Sequence, residues 1–262
     1  MIPFEMIFTI FGLIVGSFLN VCIYRLPREL SVVKPRSACP SCSTPIKAWD
    51  NIPVISYILL GGKCRKCGEK ISARYPFIEA LNGLLYLVVF HFFGIGWHMP
   101  FLFAFVSAMV VITFIDLDFQ IIPDVITLPG IIIGLAAASC VLPDPFSSLN
   151  GSSGLNSLSV AGFTNSVTGL LLGGGLYYFI AIASRGGMGG GDIKMMAMVT
   201  GWKGVLLTTF LGSLTGSVIG IFLMAFKGKG RKTKIPFGPF LALGTLVSLF
   251  YGGVIVDWYL GM

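Results

Sequence analysis

Four cysteines in the first third of the chain have the spacing of metal ligands. They form a C-x2-C-x21-C-x2-C pattern made by Cys39, Cys42, Cys64 and Cys67. Two thiolates separated by two residues can bind the same ion, and two such pairs complete a tetrahedral site. We therefore predict a zinc ion, or another thiophilic metal, with a structural role in a segment too small to fold unaided.

The alternative chemistry for two Cys-x-x-Cys pairs is thiol–disulfide exchange. Neither pair lies in the strand-to-helix context of a thioredoxin-like motif, so a metal site is the preferred interpretation. The other two cysteines, Cys22 and Cys140, lie within apolar stretches. We expect both to be buried packing residues.

Carboxylates gather at two further places in the chain. The block IDLDFQIIPD carries Asp116, Asp118 and Asp124, and the block GGMGGGDIK carries Asp192 followed by Lys194. Charged groups beside apolar stretches cost free energy and are functional candidates for that reason. If two of these aspartates met, they could share one proton and activate a water molecule, one as acid and one as base, as in an aspartyl protease.

Each of these aspartates also has a structural interpretation. Asp192 could cap a helix after a glycine loop, because a carboxylate there accepts hydrogen bonds from free amides and interacts favourably with the helix dipole. Asp118 and Asp124 could be solvated loop residues. The glycine-rich segment 186–191 lacks the lysine and hydroxyl residue of a phosphate-binding loop, which argues against nucleotide binding.

Membrane helices must position these side chains. Of the 262 residues, 55% are hydrophobic and 11% charged, and the mean hydropathy is +0.88. Soluble proteins have about 25% charged residues, so this composition excludes a cytosolic globule and a disordered chain. We predict an all-α polytopic membrane protein with a cytoplasmic four-cysteine insert after the first helix. Its membrane segments number about eight, namely 6–24, 77–97, 100–115, 125–142, 164–184, 193–202, 204–226 and 238–260.

Basic residues indicate the orientation of these segments. Residues 25–76 hold ten basic and three acidic side chains, whereas the rest of the chain is electrically neutral. Since lysine and arginine are enriched in cytoplasmic loops, we expect 25–76, Arg185 with Lys194, and the basic run 227–234 in the cytoplasm. This orientation requires the short segment 193–202 to cross or tilt within the membrane. The net charge of +7 then reflects topology, and no nucleic-acid partner is expected.

Six sequence blocks resemble, in this order, the bacterial type IV prepilin peptidase family, membrane aspartyl proteases of pilus and type II secretion systems. The blocks are GSFLNVCIYRLP (16–27), the two cysteine pairs around NIPVISYILLGGKC (51–64), RYPFIEAL (74–81), IDLDFQIIPD (115–124), GMGGGDIK (187–194) and IPFGPFLALG (235–244). The resemblance implies that Asp116 and Asp192 are the catalytic pair. It does not decide which of the two is the acid. The supporting or substrate-binding candidates in the matched blocks are Asp118, Asp124, Glu79, Gly189, Gly191 and Lys194.

The resemblance also implies a reaction. Family members cleave the basic leader of prepilins or pseudopilins after a glycine, at the cytoplasmic face of the bacterial inner membrane. Members with the cysteine pairs resemble the bifunctional type, which N-methylates the new N-terminal residue with S-adenosylmethionine. The implied partners are these substrates and the lipid bilayer. The implied domains are a first transmembrane helix (1–24), a cytoplasmic zinc-binding domain (25–76) and a multi-helix aspartyl protease domain (77–262).

Two other classes of membrane protein stay open at this point. An ion- or proton-coupled transporter would use the aspartates as a conduction path, although here they lie near the ends of apolar stretches. A non-catalytic scaffold would use the basic insert to bind anionic lipid or a partner. Such a scaffold would give Asp116 and Asp192 no role.

Overall fold

The computed structural model describes residues 3–140, 160–184, 189–198, 201–227 and 236–260. Within these ranges the regular elements are helical, apart from two isolated antiparallel bridges. The α-helices of the described residues are α1 (Phe4–Arg25), α2 (Ile55–Leu59), α3 (Arg74–Phe93), α4 (Met99–Phe119), α5 (Asp124–Cys140), α6 (Val160–Ala183), α7 (Gly190–Met198), α8 (Trp202–Lys227) and α9 (Gly238–Leu260). The predicted all-α class is confirmed. Arg185, residues 228–234 of the basic run and the side chain of Cys140 lie outside the described part.

Six helices of the described part are long and apolar enough to cross a bilayer, namely α1, α3, α4, α6, α8 and α9. Of the other two apolar helices, α5 is shorter and α7 has 9 residues. Nine residues span about 14 Å at 1.5 Å per residue, whereas the hydrocarbon core is about 30 Å thick. The chain is therefore a multi-pass membrane protein, and eight crossings stay a prediction.

The third predicted membrane segment, 100–115, is one turn shorter than the helix that forms there. Helix α4 continues to Phe119 and ends before Gln120, whose φ of 54° is left-handed. A left-handed residue commonly terminates a helix because it turns the backbone away from the helical axis. Asp116 and Asp118 consequently lie within the last turn of α4 and have rigid backbone positions.

The described contacts fall into two compact units, residues 1–111 and 112–262. In the first unit, α1 and α3 approach each other at backbone distance. A Cβ atom at Gly16 would lie 2.7 Å from the Cα of Glu79, and one at Gly12 would lie 2.8 Å from the Cα of Gly83. Gly12 and Gly16 form a Gly-x-x-x-Gly motif, through which membrane helices associate closely.

A chain of buried polar groups also joins the helices of the first unit. The amide nitrogen of Asn82 donates a hydrogen bond to the carbonyl oxygen of Gly12 over 2.8 Å, and its amide oxygen accepts one from the Ser107 hydroxyl over 3.0 Å. The Tyr86 hydroxyl lies 3.1 Å from the same Ser107 oxygen. Because each polar group has a partner, none of these three side chains bears the cost of an unpaired polar atom in a dry interior.

In the second unit, helix α7 is enclosed by α5 and α6. Met195 and Met196 are fully buried. A Cβ at Gly173 of α6 would collide with the carbonyl oxygen of Met196, and one at Gly130 of α5 would collide with the sulfur of Met198. These two glycines therefore allow neighbouring helices to close over α7. A short helix surrounded by protein does not need the length of a lipid-exposed span.

Candidate active site and metal centre

The four cysteines of the insert come together as one cluster, which we call the four-cysteine cluster. All four sulfur atoms lie within 4.8 Å of one another, and the Cys39 and Cys67 sulfurs are 3.8 Å apart. A tetrahedral site with zinc–sulfur bonds of about 2.3 Å has sulfur–sulfur separations of about 3.8 Å. The donor set and its size therefore fit a zinc ion.

Two similar turns carry the cluster. In the first turn, the carbonyl oxygen of Cys39 accepts a hydrogen bond from the amide of Ser43 over 2.9 Å, and the Cys39 amide donates one to the carbonyl oxygen of Thr44 over 3.0 Å. The turn at 64–69 repeats both hydrogen bonds, at 2.9 and 2.8 Å. Each turn thereby directs its two thiols toward the same point.

The thiols of the cluster differ in their preference for the thiolate form that binds metals. Hydrogen bonds from the hydroxyl and the backbone of Thr44 lower the pKa of Cys42 to about 6. A backbone hydrogen bond with Glu69 lowers the pKa of Cys67, but burial and the other thiols of the cluster outweigh it and raise that pKa to about 12. Adjacent thiolates repel one another, so a cation is needed for all four to ionise together.

An ion pair that the sequence analysis did not identify lies beside the cluster. The Arg65 guanidinium, between the two cysteines of the second pair, donates from Nε to both carboxylate oxygens of Asp50 over 3.0 Å and from Nη2 to one of them over 2.7 Å. These hydrogen bonds, together with the positive charge, lower the pKa of Asp50. The pair ties the turn at 64–69 to the short helical turn Ala48–Asn51.

Asp116 occupies a buried position in the last turn of α4, where it is 6% exposed. Its Oδ2 atom accepts a hydrogen bond of 2.9 Å from the backbone amide of Gly238, the first residue of α9. A Cβ atom at position 238 would lie 2.7 Å from that oxygen. The sequence analysis quoted the block around Gly238 but assigned the glycine no role. Its contact with Asp116 joins residues that are far apart in the chain.

Asp192 is the third residue of α7 and is half-buried. Its carboxylate accepts a hydrogen bond from the backbone of Gly189, just before the helix, so it supports the helix N-terminus from inside the first turn. Burial, and then the negative charge of Asp116, raise the pKa of Asp192. Ile122, in the segment that follows α4, contacts Gly191, the neighbour of Asp192. The end of α4 that carries Asp116 and the start of α7 that carries Asp192 therefore lie in the same part of the second unit.

The other candidates of the second unit border this site. Lys194 lies two residues after Asp192 in α7, and its Nζ atom is 2.7 Å from each carboxylate oxygen of Asp124, the first residue of α5. A Cβ at Gly191 would lie 2.7 Å from the Cβ of Ile122, so the glycine allows close contact there. Asp118 is exposed on the last turn of α4.

Glu79 belongs to the first unit and has structural partners there. It is buried, and its Oε2 atom accepts a hydrogen bond of 2.8 Å from the backbone amide of Val54. The Ser17 side chain is a second hydrogen-bond partner. Val54 has a φ of 60°, which is unfavourable for a branched side chain. The carboxylate of Glu79 therefore helps to hold a strained backbone segment of the insert against α1 and α3.

The chain matches two protein-family models. The bacterial peptidase A24 N-terminal domain matches residues 10–93, and the type IV leader peptidase family matches residues 103–221. Together these matches include both cysteine pairs and both aspartates. No solved structure matches this chain.

Curated relatives cover nearly the whole chain, and the three cited here are each named prepilin leader peptidase/N-methyltransferase. The relative from Legionella pneumophila is 34% identical over 96% of this chain and 93% of its own length. The one from Pseudomonas aeruginosa is 34% identical, with 95% and 91% covered, and the one from Neisseria gonorrhoeae is 34% identical, with 96% and 93% covered. Because identity at this level extends across both units, the chain belongs to the type IV leader peptidase family.

Proposed function

We propose that this chain is a membrane aspartyl endopeptidase that removes the basic leader of type IV prepilins or pseudopilins by cleavage after a glycine. The observation that supports the proposal is the placement of two carboxyl groups, the buried Asp116 at the end of α4 and the half-buried Asp192 at the start of α7. The contact between Ile122 and Gly191 joins these two regions. The printed names of the relatives support the same reaction class. They give no support to a transporter.

In the proposed mechanism, the two carboxyl groups hold one proton between them, because adjacent carboxylates do not readily both ionise. The Gly238 amide and the positive end of the α9 dipole favour negative charge on Asp116, so Asp192 carries the proton. Asp116 accepts a proton from water while the water oxygen bonds to the glycyl carbonyl carbon and Asp192 hydrogen-bonds the carbonyl oxygen. The carbon–nitrogen bond then breaks as Asp192 donates its proton to the leaving amine.

We propose further that this site faces the cytoplasm. Gly238 follows the basic run 227–234 closely in the sequence, and basic runs of this kind are kept on the cytoplasmic side. Since Gly238 binds Asp116 directly, the carboxylate pair lies at the same membrane face. The basic leader of a substrate then stays in water, while the apolar segment after the cleaved bond stays in the bilayer.

We assign a structural zinc ion to the four-cysteine cluster. The sulfur positions described above suit the ion, which would join the turns at 39–44 and 64–69 within the cytoplasmic domain 25–76. Residues 1–24 then form the first transmembrane helix, and residues 77–262 form the protease domain. Bound zinc supplies a crosslink between two short turns that have little apolar surface of their own.

We also propose N-methylation of the newly formed N-terminus with S-adenosylmethionine, as the names of the relatives suggest. One cavity in the second unit has a volume of about 280 Å³ and is lined by Ser213, Gly216, Ser217, Phe237 and Phe240. Pockets for drug-sized ligands begin at roughly 300 Å³, and none of the described residues that line this cavity is charged. It does not fit the zwitterionic methyl donor, and we derive no step through it.

The proposed peptidase is tested by making Asp116→Asn and Asp192→Asn separately. Each variant is co-expressed with a prepilin, and processing is followed by the gel shift of the cleaved product. We expect each change to slow cleavage by about 10²- to 10⁴-fold, the usual contribution of a general acid or base. Asp257→Asn, near the opposite end of α9, is the matched control. Cleavage at the wild-type rate by either active-site variant would contradict the proposal.

A further inference from the structure

A short segment of the second unit carries one carboxylate of the proposed pair and contacts the helix that carries the other. Residues 116–124 begin with Asp116 itself. They end with Ile122, which contacts Gly191 of α7, and with Asp124, which binds Lys194 of α7. The segment that supplies one carboxylate is therefore also the segment on which the helix with the other carboxylate docks.

The contacts lie along one side of α7. Gly191 contacts Ile122, Lys194 contacts Asp124, and Met198 contacts Gly130 further along α5. Positions separated by three and four residues share one face of a helix, so these contacts run the length of α7. Two of them bracket Asp192 in the sequence. A shift of one residue along this face would rotate Asp192 by about 100° around the helix axis.

Of these contacts, the ion pair between Lys194 and Asp124 depends most on the orientation of its groups. The Lys194 amine lies 2.7 Å from each oxygen of Asp124, while the two side chains are 38% and 56% exposed. An ion pair with this much exposure contributes little to folding stability. The contacts of Gly191 and Gly130 are apolar and would tolerate a shift of α7 along its axis. The ion pair, by contrast, forms at only one axial position of α7.

We propose that Lys194 and Asp124 are positioning residues, which hold α7 in the register that sets Asp192 beside Asp116. The inference rests on the proposed peptidase function and concerns the same site. It assigns neither residue a contact with substrate. Their removal should therefore slow the chemical step without weakening the binding of the prepilin.

The test measures kcat and KM for a synthetic prepilin with purified, detergent-solubilised protein. We expect Lys194→Met to lower kcat by on the order of 10- to 100-fold, the range for a small misplacement of a reacting group, with KM unchanged. Lys194→Arg should retain most activity, because a guanidinium also binds both oxygens of a carboxylate. The exchanged pair Lys194→Asp with Asp124→Lys should recover activity that each single change loses. Lys203→Met is the matched control, and thermal unfolding shows that each variant is folded.

Five results would overturn the proposal. A raised KM with an unchanged kcat in Lys194→Met would mean that the lysine contacts substrate, and a raised KM in Asp124→Asn would mean that Asp124 binds the basic leader. Failure of the exchanged pair to recover activity, in protein that unfolds at the wild-type temperature, would exclude a role for the ion pair. Wild-type protein that cleaves no prepilin would overturn the proposed function and this inference together. If the wild type is active and Lys194→Met has the same kcat, only the inference is overturned.

Discussion

At the scale of single residues, a main-chain amide is the described hydrogen-bond partner of Asp116, one of the two proposed catalytic carboxylates. The Gly238 amide donates to Asp116 over 2.9 Å, and the absence of a side chain at 238 makes the approach possible. A buried carboxylate without hydrogen bonds is costly, so this contact both satisfies Asp116 and orients it. Glycine is required here for space, since no positive φ is involved.

A methyl group at position 238 should therefore disrupt the site. Its Cβ would lie 2.7 Å from Oδ2 of Asp116, so the carboxylate must move away from the amide. We expect Gly238→Ala to lower kcat for prepilin cleavage by on the order of 10²-fold. Gly175→Ala is the control, because nothing lies within 4 Å of a Cβ there. A Gly238→Ala enzyme with the wild-type kcat would show that the contact does not orient Asp116.

At the scale of secondary-structure elements, close backbone contact explains how these helices associate. Apolar side chains gain little by leaving lipid for a protein interface, so packing and buried hydrogen bonds decide which helices meet. Helices α1 and α3 use Gly12, Gly16 and the Asn82 hydrogen bonds for this purpose. In the second unit, Gly130 of α5 and Gly173 of α6 allow these helices to pack closely against α7.

A larger side chain at Gly16 should disrupt the contact between α1 and α3. A side chain at Gly16 meets the backbone of Glu79 at 2.7 Å, where neither partner can move aside. We expect Gly16→Leu to destabilise the protein by roughly 1 to 3 kcal/mol, as overpacking usually does. The measurement is thermal unfolding in detergent, with Ile14→Leu as the control because Ile14 is exposed on α1. Equal unfolding temperatures for both variants would contradict the close contact.

At the scale of the whole molecule, the residues of the proposed metal site and those of the proposed peptidase site lie in different compact units. The first, residues 1–111, contains the four-cysteine cluster and the whole region matched by the N-terminal family model. The second, residues 112–262, contains Asp116 and Asp192. The excess positive charge also belongs to the first unit, in 25–76. Metal binding and peptide hydrolysis can therefore be tested by separate changes in the full-length protein.

Removal of one thiol should remove the metal. We expect the wild-type chain to hold about one zinc ion and Cys39→Ser to lose it, because three thiolates bind zinc less tightly than a closed set of four. Loss of the ion should also make 25–76 more sensitive to proteolysis. Zinc content is measured by atomic spectroscopy, with Cys22→Ser as the control because Cys22 is buried in α1. Full zinc occupancy in Cys39→Ser would contradict a four-cysteine site.

Much of the architecture could be predicted from composition and spacing. The apolar segments, the cysteine pairs and the candidate aspartates are all local patterns, and each predicted segment overlaps a described helix. The end of α4 was not predicted correctly, because the left-handed backbone conformation of Gln120 cannot be recognised from the amino-acid sequence around it. The Gly-x-x-x-Gly motif in α1 was visible in the sequence and could have predicted the contact with α3.

The sequence by itself determined which residues could do chemistry, because ligand spacing, hydropathy and charge are properties of neighbouring residues. Only the tertiary structure decided which of those residues meet. The contacts of Asp116 with Gly238, of Asp124 with Lys194 and of α7 with its neighbours join distant parts of the chain. Such contacts depend on how helices dock in space, and no single local segment encodes them.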